Sequence, residues 1–312
     1  MADSQEVSSI RTLPFKKLCV IINPAAGIDR PILGIINNAF KDTDAFWDVR
    51  ITHKAGDAQR LAKEAVAQGF DVVAAHGGDG TVMEVAYGLY GTDVPLAIFP
   101  GGTANVMAAE LGVSSDLNLA VGLVGSGDYD VRKIDIGTAG EHKFILRIGI
   151  GFEADMMKNA DQEMKNRFGL LAYVFSAFNE ILNPAPVTYK LTLDGQQYEA
   201  EGVSCMIANS GNVAIGGLRL SRKIEVSDGL LDVVVFRSVD IGSIISVTTT
   251  VLAQAEATEL PQIQHWQCHE AIVEAVPPQT VSVDGEIIEQ NPISARVLSQ
   301  AVNVIVPKTT AS

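Results

Sequence analysis

Cysteine is scarce. The chain holds three, Cys19, Cys205 and Cys268. They are odd in number and far apart, so they form neither a disulfide framework nor a metal spacing. A reducing cytoplasm is the compartment they suit. Long apolar runs are missing too. None approaches the roughly 20 residues that span a bilayer, and MADSQEVSSIRT at the start lacks the apolar core of a signal peptide. Residues 1–13 read as a loose tail. Positive charge is short, with 23 Lys and Arg against 37 Asp and Glu and a formal net charge of −14. Phosphate backbones need a basic surface, so no nucleic acid is expected as the main partner. Contact with an anionic membrane is limited to transient, peripheral docking through a local basic patch. Two phosphate-binding signatures are also absent, the Walker A motif and G-x-G-x-x-G.

What is present is apolar residue in quantity. At 47 % apolar and 19 % charged, 312 residues can bury the cores of two domains. Strand and helix signals alternate through the first part. "KKLCVIINP", "FWDVRITH", "FDVVAAH" and "VPLAIFP" read as strands. "DRPILGIINNAF", "GDAQRLAKEAVAQG", "TVMEVAYGLYG" and "NVMAAELG" read as helices, with Pro31 suited to a first turn and Gly69 and Gly112 closing theirs. This alternation predicts parallel strands with crossover helices over 1–131. Over 132–312 the pattern changes to strand-like segments with glycine turns: "KFILRIGIGF", "VTYKLTLDG", "QYEAEGVSCMIANS", "GLLDVVVFRS", "AIVEAVP" and "TVSVDGEIIE". Two helical segments interrupt, "GLLAYVFSAFNEIL" and "DIGSIISVTTTVLAQ". A second, mostly antiparallel β-rich domain follows from this. The last strand, "AVNVIVPK", can pair in either domain.

Three glycine-rich loops, "NPAAG", "GGDGT" and "PGGTAN", all fall where a strand ends and a helix begins, the edge at which open parallel sheets bind ligands. Glycine lets backbone N–H groups converge on an anion, and a helix N-terminus adds its dipole. The pattern therefore predicts a phosphate cradle built from amides together with Thr81, Thr103 and Asn105. Asp79 is out of place beside phosphate unless a cation or an incoming hydroxyl faces it; the plainer reading makes it a cap for the helix that Thr81 begins. Asp284-Gly285 and Asp194-Gly195 both carry the hairpin dipeptide, and Glu286 follows the first of them. His265 and His269 lie four apart with no partner motif, and His53 reads as a solvated loop residue.

"NPAAG", "GGDGTVMEV" and "PGGTANVMA", in this order, with "GIGFEAD", "VSDGLLDV" and "VSVDGE" downstream, resemble the diacylglycerol-kinase catalytic family, above all its soluble bacterial lipid kinases. Sphingosine kinases and NAD kinases are more distant members. The resemblance implies ATP and Mg²⁺ as cofactors and a lipid acceptor such as diacylglycerol, met at a membrane surface. By matched position, the nucleotide would contact Asn23, Pro24, Gly27, Thr52, Gly77, Gly78, Asp79, Gly80, Thr81, Val82, Met83, Gly102, Thr103 and Asn105. Glu286 would be the catalytic base, with Asp79 and Asp135 near the reacting centre. Asp284 matches a metal-linked position. Asp228, with the carbonyls of Glu225 and Leu230, matches a Mg²⁺ loop, and Asp155 matches a lipid-head contact. Two departures stand out: Val106 where relatives carry an acid after GTAN, and no Pro-Ala segment before Asp228. "FGLLAYVFSAF" reads either as core or as a groove for acyl chains, and Lys158, Lys165 and Arg167 either as a solvated face or as a basic patch. Two alternatives stay open, a soluble-substrate kinase of the NAD-kinase type and a non-catalytic nucleotide- or lipid-binding protein. Oligomeric state stays open, a homodimer included.

Overall fold

The structure is a computed structural model that describes residues 10–27, 30–151, 186–212, 220–221, 223–237 and 262–308. Asp155, Lys158, Lys165, Arg167 and the two helical segments expected at 169–182 and 240–254 lie outside the described residues. The chain divides into two compact units, Met1–Lys133 with Val302–Ser312, and Ile134–Ala301.

The first unit follows the alternation of its sequence. In order come β1 (Lys17–Ile22), α1 (Ile32–Phe40), β2 (Phe46–Ile51), α2 (Asp57–Ala67), β3 (Val72–Gly77), α3 (Asp79–Leu89), β4 (Leu96–Pro100), α4 (Val106–Glu110) and α5 (Leu117–Ser126). The strands pair in parallel in the order β2-β1-β3-β4. Leu18 stands beside Trp47 on one side and Val72 on the other. β3 and β4 are buried along their whole length, while β2, at the edge, is half-buried. That is why β3 and β4 read as unbroken apolar runs and β2 alternates. Each fully buried aliphatic side chain contributes on the order of 1.5–3 kcal/mol, so Leu18, Val73, Leu89 and Ile98 hold this layer far more firmly than its surface ion pairs. Helix α5 went unread in the sequence, because "LNLAVGLVGS" carries two glycines and little amphipathic contrast. It is nevertheless well marked at its ends: Asp116 accepts from the Asn118 N–H at 2.8 Å and Gly127 closes it at φ 72°.

In the second unit the expected strands are present but divided more finely. They are β5 (Asp130–Ala139, entering from the first unit), β6 (His142–Phe144), β7 (Arg147–Gly151), β8 (Val187–Leu193), β9 (Gln196–Gly202), β10 (Ser204–Ala208), β11 (Leu231–Phe236), β12 (Ile263–Cys268), β13 (Glu270–Val276), β14 (Val281–Val283), β15 (Glu286–Ile288) and β16 (Ile293–Val306). One sheet runs β12-β11-β10-β7-β14-β15; the facing layer includes β16-β13-β8-β9. Their inner faces meet in one core, with Ile148, Ile150, Cys205, Ile207 and Val233 on one side and Tyr189, Leu191, Ala271 and Val273 on the other. β8 shows the alternation this requires, its residues alternately buried and more exposed. The terminal strand β16 pairs antiparallel with β13 through Ile293–Arg296, and its Val304 pairs in parallel with Leu96 of β4.

"KFILRIGIGF" was expected as one strand and is two. The break falls at Ile145 and Leu146, whose N–H groups are taken by the carboxylate of Asp284 instead of a ladder partner. Strands β5 and β12 leave no clear sequence signal, since the charged "DVRK" and the polar "IQHWQC" hide the apolar alternation. All three cysteines are buried, and burial pushes the thiols up, Cys19 to about 11 and Cys268 to about 12, which leaves them unreactive.

Asp57, the first residue of α2, accepts from the backbone N–H of His53 at 2.9 Å and from the Arg60 guanidinium at 3.0 Å. These bonds hold its carboxyl down at about 2. Because the folded value lies below the ordinary aspartate range, its stabilisation is complete above about pH 4 and is lost as pH falls from about 4 toward 2. Asp57→Asn is therefore expected to lower the denaturant midpoint at neutral pH, with the difference from wild type closing near pH 2. Urea titrations across that range check it.

Candidate active site

The three glycine loops lie together at the carboxyl edge of the first unit's sheet, and they touch. A Cβ at Gly27 (φ 73°) would overlap the carbonyl oxygen of Gly101. One at Gly102 would come within 2.6 Å of Gly78 Cα, and one at Gly101 within 2.9 Å of His76 Cε1. The Gly101 N–H donates to the Gly77 carbonyl at 2.9 Å, and the Asn23 N–H to the His76 carbonyl at 2.9 Å. Side chains complete the lock. Asn23 Nδ2 donates to Thr81 Oγ1 at 3.1 Å. Asn105, held left-handed at φ 48°, accepts from the Gly102 N–H at 2.9 Å and donates back to its carbonyl at 2.8 Å. His76 Nδ1 lies 3.0 Å from the Phe99 carbonyl and bridges β3 to β4. Burial lowers the imidazole pKa, so the neutral ring is favoured. Nothing in an otherwise apolar strand marks His76 for this part in advance.

This arrangement revises the expected cradle. The hydroxyl of Thr81 and the amide of Asn105 were expected to reach phosphate; both are turned into the loops and hold them together. Thr81 itself is buried, and its N–H donates to the Gly78 carbonyl, as does that of Val82. Val82 is a core residue, and Met83 is half-buried. By helix geometry the N–H groups of Asp79 and Gly80 have no acceptor within α3. Gly80, Pro24, Gly27 and Thr103 are exposed, while Gly78, Asp79 and Gly102 are half-buried. Thr52 is buried and tied by its N–H to the Ile22 carbonyl at 3.0 Å. The expectation that every loop feeds a helix N-terminus also needs correction. The first does not, since α1 starts five residues after Gly27, whereas the second runs straight into α3 and the third into α4 through its cap Asn105.

Asp79 was read either as facing a cation or hydroxyl, or as capping its own helix. In the structure α3 begins at Asp79 itself, and Oδ1 accepts from the Met107 N–H of α4 at 3.1 Å. A carboxylate from the second loop thus serves the start of the helix after the third. Asp79 thereby supplies negative charge at the start of α4, where Val106 brings none.

The second unit holds the remaining acids. Asp135 is fully buried, with Oδ2 accepting from the Gly229 N–H at 2.7 Å and Oδ1 from the Gln300 N–H at 2.6 Å. Both its oxygens hold the backbone, one at the loop of Gly229 and one within strand β16. Asp284 (φ 46°) and Gly285 (φ 95°) make the two-residue turn between β14 and β15. Asp284 Oδ2 accepts from the Ile145 N–H at 2.7 Å, and Oδ1 from Leu146 and Arg147 at 3.0 and 2.8 Å. Burial pushes its carboxyl up to about 6 against the pull of those three amides. Asp284, expected at a metal-linked position, here spends both carboxylate oxygens on backbone N–H groups. Asp194-Gly195 is built alike: it turns β8 into β9, and its carboxylate accepts from the N–H groups of His269 and Glu270. What sets the first hairpin apart is Glu286, the exposed residue that opens β15. The histidines are accounted for by carboxylates, His265 Nε2 lying 2.6 Å from Asp232 Oδ1 and His269 Nδ1 3.3 Å from Asp194 Oδ2.

At the expected Mg²⁺ loop, Glu225 and Asp228 are exposed, Leu230 is half-buried, and Asp228 Oδ1 accepts from the Leu230 N–H at 2.9 Å. Desolvation raises the Asp228 carboxyl, and the charges of Asp232, Asp135 and Glu225 raise it further. A cation would relieve that repulsion, so the donor set suits Mg²⁺. No three His, Cys, Asp or Glu side chains converge into a metal cluster among the described residues. A cation there would need backbone carbonyls and water.

Comparison with known proteins agrees with both halves of this layout. Residues 17–139 match the diacylglycerol kinase catalytic domain, and residues 147–306 match the YegS C-terminal NAD kinase beta sandwich-like domain. The chain belongs to the diacylglycerol-kinase catalytic family. Among relatives, a probable lipid kinase YegS-like protein of Pseudomonas putida is 31% identical over 70% of this chain and 74% of its own. The diacylglycerol kinase of Bacillus subtilis is 27% identical over 95% and 98%. A diacylglycerol kinase structure from Bacillus anthracis strain Sterne shares the fold, with a TM-score of 0.69 at 24% identity over 94% and 97% of the two chains. For this family member, the interlocked loops define the feature most sensitive to added volume. Gly27→Ala is expected to destabilise the first unit by about 2–4 kcal/mol, from left-handed strain plus overpacking. Gly80, with nothing within 4 Å of its Cβ position, serves as the contrast. Gly80→Ala is expected to be neutral or stabilising by up to about 1 kcal/mol, and equilibrium unfolding of both variants checks the pair.

Proposed function

We propose that this protein is an ATP-dependent lipid kinase that transfers the γ-phosphoryl group to a hydroxyl of a diacylglycerol-like lipid at a membrane surface. The observation that carries the reading is the interlock of three glycine loops at the sheet edge, with the start of α3 inside it. Backbone donors held this rigidly suit a polyphosphate, because they need no reorganisation as charge develops during transfer. Lipid as the acceptor rests on the names of the relatives and on a second unit that matches their C-terminal domain. Among the described residues no helix is long and apolar enough to cross a membrane, which fits peripheral contact.

The roles divide by chemistry. Amides near Asp79 and Gly80 bind phosphate oxygens, and exposed Thr103 adds a hydroxyl. Glu286 accepts the proton of the acceptor hydroxyl as that oxygen attacks phosphorus, and the leaving oxygen departs with ADP. Asp284 holds the turn that carries Glu286 by taking three backbone N–H groups. Mg²⁺, when bound, neutralises charge on the phosphate oxygens and, at the Glu225–Leu230 loop, the mutual repulsion around Asp228.

Glu286→Gln keeps shape and removes the base. Turnover with diacylglycerol micelles and radiolabelled ATP is expected to fall by at least 10²-fold, within the usual range for a general base, with nucleotide affinity within about threefold of wild type. Full activity in this variant rules out Glu286 as the base. Wild-type protein that consumes ATP with NAD but with no lipid extract supports the soluble-substrate reading instead.

A further inference from the structure

We infer that Glu84 is a positioning residue for the nucleotide, acting through the Thr52–Gly56 loop; this rests on the kinase reading of the same loops. Glu84 lies on α3, the helix that starts in the GGDGT loop, yet its carboxylate reaches out of that helix. Oε1 accepts from the Gly56 N–H at 2.9 Å and Oε2 from the Ala58 N–H at 3.0 Å. Gly56 is the left-handed cap of α2 (φ 83°), so both are helix-start donors with no acceptor inside α2. One carboxylate from a neighbouring helix thus does for α2 what a capping side chain of its own would do.

A second contact on the same face of α3 shows that the pairing is built in. Gly88, one turn beyond Glu84, packs so tightly on α2 that a Cβ there would stand 2.6 Å from both Ala62 Cβ and the Gln59 carbonyl oxygen. Positions 84 and 88 of α3 therefore grip α2 at residues 56–58 and 59–62. The loop between β2 and α2 is braced from inside as well, since Asp57 Oδ2 accepts from the His53 and Lys54 N–H groups at 2.9 and 3.2 Å. Its first residue, Thr52, is fixed to the end of β1, where "NPAAG" begins. Glu84 thus ties the β2–α2 loop to the helix that carries Asp79 and Gly80, so that the two segments keep one spacing when a nucleotide lies against both. Were the carboxylate only a cap for α2, its loss would lower stability and leave nucleotide affinity unchanged.

The test uses the full chain with Glu84→Ala and Glu84→Gln, the latter keeping one acceptor oxygen without charge. Mg²⁺ with a non-hydrolysable ATP analogue is the probe, titrated calorimetrically. Glu84→Ala is expected to weaken binding at least tenfold and Glu84→Gln about threefold. KM for ATP should rise in step, with kcat at saturating ATP within twofold of wild type. Amide hydrogen exchange at Gly56 and Ala58 should quicken in both variants. Should the alanine variant fail to fold, the glutamine variant carries the comparison alone. Wild type that binds while both variants bind equally tightly, whatever their melting temperatures, overturns the role of Glu84 and leaves the kinase reading standing. Wild type that binds no nucleotide overturns both.

Discussion

Backbone lies against backbone where the three glycine loops meet, and the geometry of the first unit's binding edge follows from that contact. Gly27 meets the Gly101 carbonyl, Gly102 meets Gly78, and Gly101 meets the His76 ring, in each case with no room for a Cβ on the first. Glycine serves here chiefly by its lack of volume; the left-handed backbone angle is needed at Gly27 but not at Gly77, Gly78, Gly101 or Gly102. Loops packed this closely cannot move independently. Asn23, Thr81 and Asn105, whose polar groups invite a ligand reading, hold the loops in register.

Carboxylates in this protein repeatedly perform the same physical task, that of accepting backbone N–H groups from a distant segment. Asp79 serves α4, Glu84 serves α2, Asp135 serves a loop and strand β16, and Asp194 and Asp284 serve strand ends outside their own hairpins. An ionised acceptor makes a stronger bond than a neutral one, and each joins parts of the chain that are 26 to 165 residues apart in sequence. The excess of acids over bases is thus partly an excess of crosslinks. It also explains why motif-bearing acids were easily read as catalytic: residue type alone does not separate a clamp from a base. Among the acids of the second unit, Glu286, Glu225 and Asp228 are exposed, while Asp135 is completely buried between two amides.

Most of the parallel layer was legible from its alternation, because strands buried on both faces leave unbroken apolar runs and their helices leave caps. Helix α5 was hidden by its glycines, β12 by its polar residues, and the division of "KFILRIGIGF" by an acid about 140 residues away. Of the candidate site, the three loops and their common edge were legible, since glycine clusters at strand ends have one economical explanation. The direction in which Thr81 and Asn105 turn was not, because that depends on which loop happens to lie beside them.

The sequence by itself determined most of the elements, the two-part layout, the glycine loops and the family that carries them, since each is set by residues close together in the chain. Tertiary structure alone decided the use of the acids. Whether a carboxylate clamps an amide or faces a ligand depends on segments brought together from far apart, as when Asp284 meets Ile145 and Glu84 meets Gly56. No local pattern encodes such a meeting, because the amide it satisfies is present on every residue but proline.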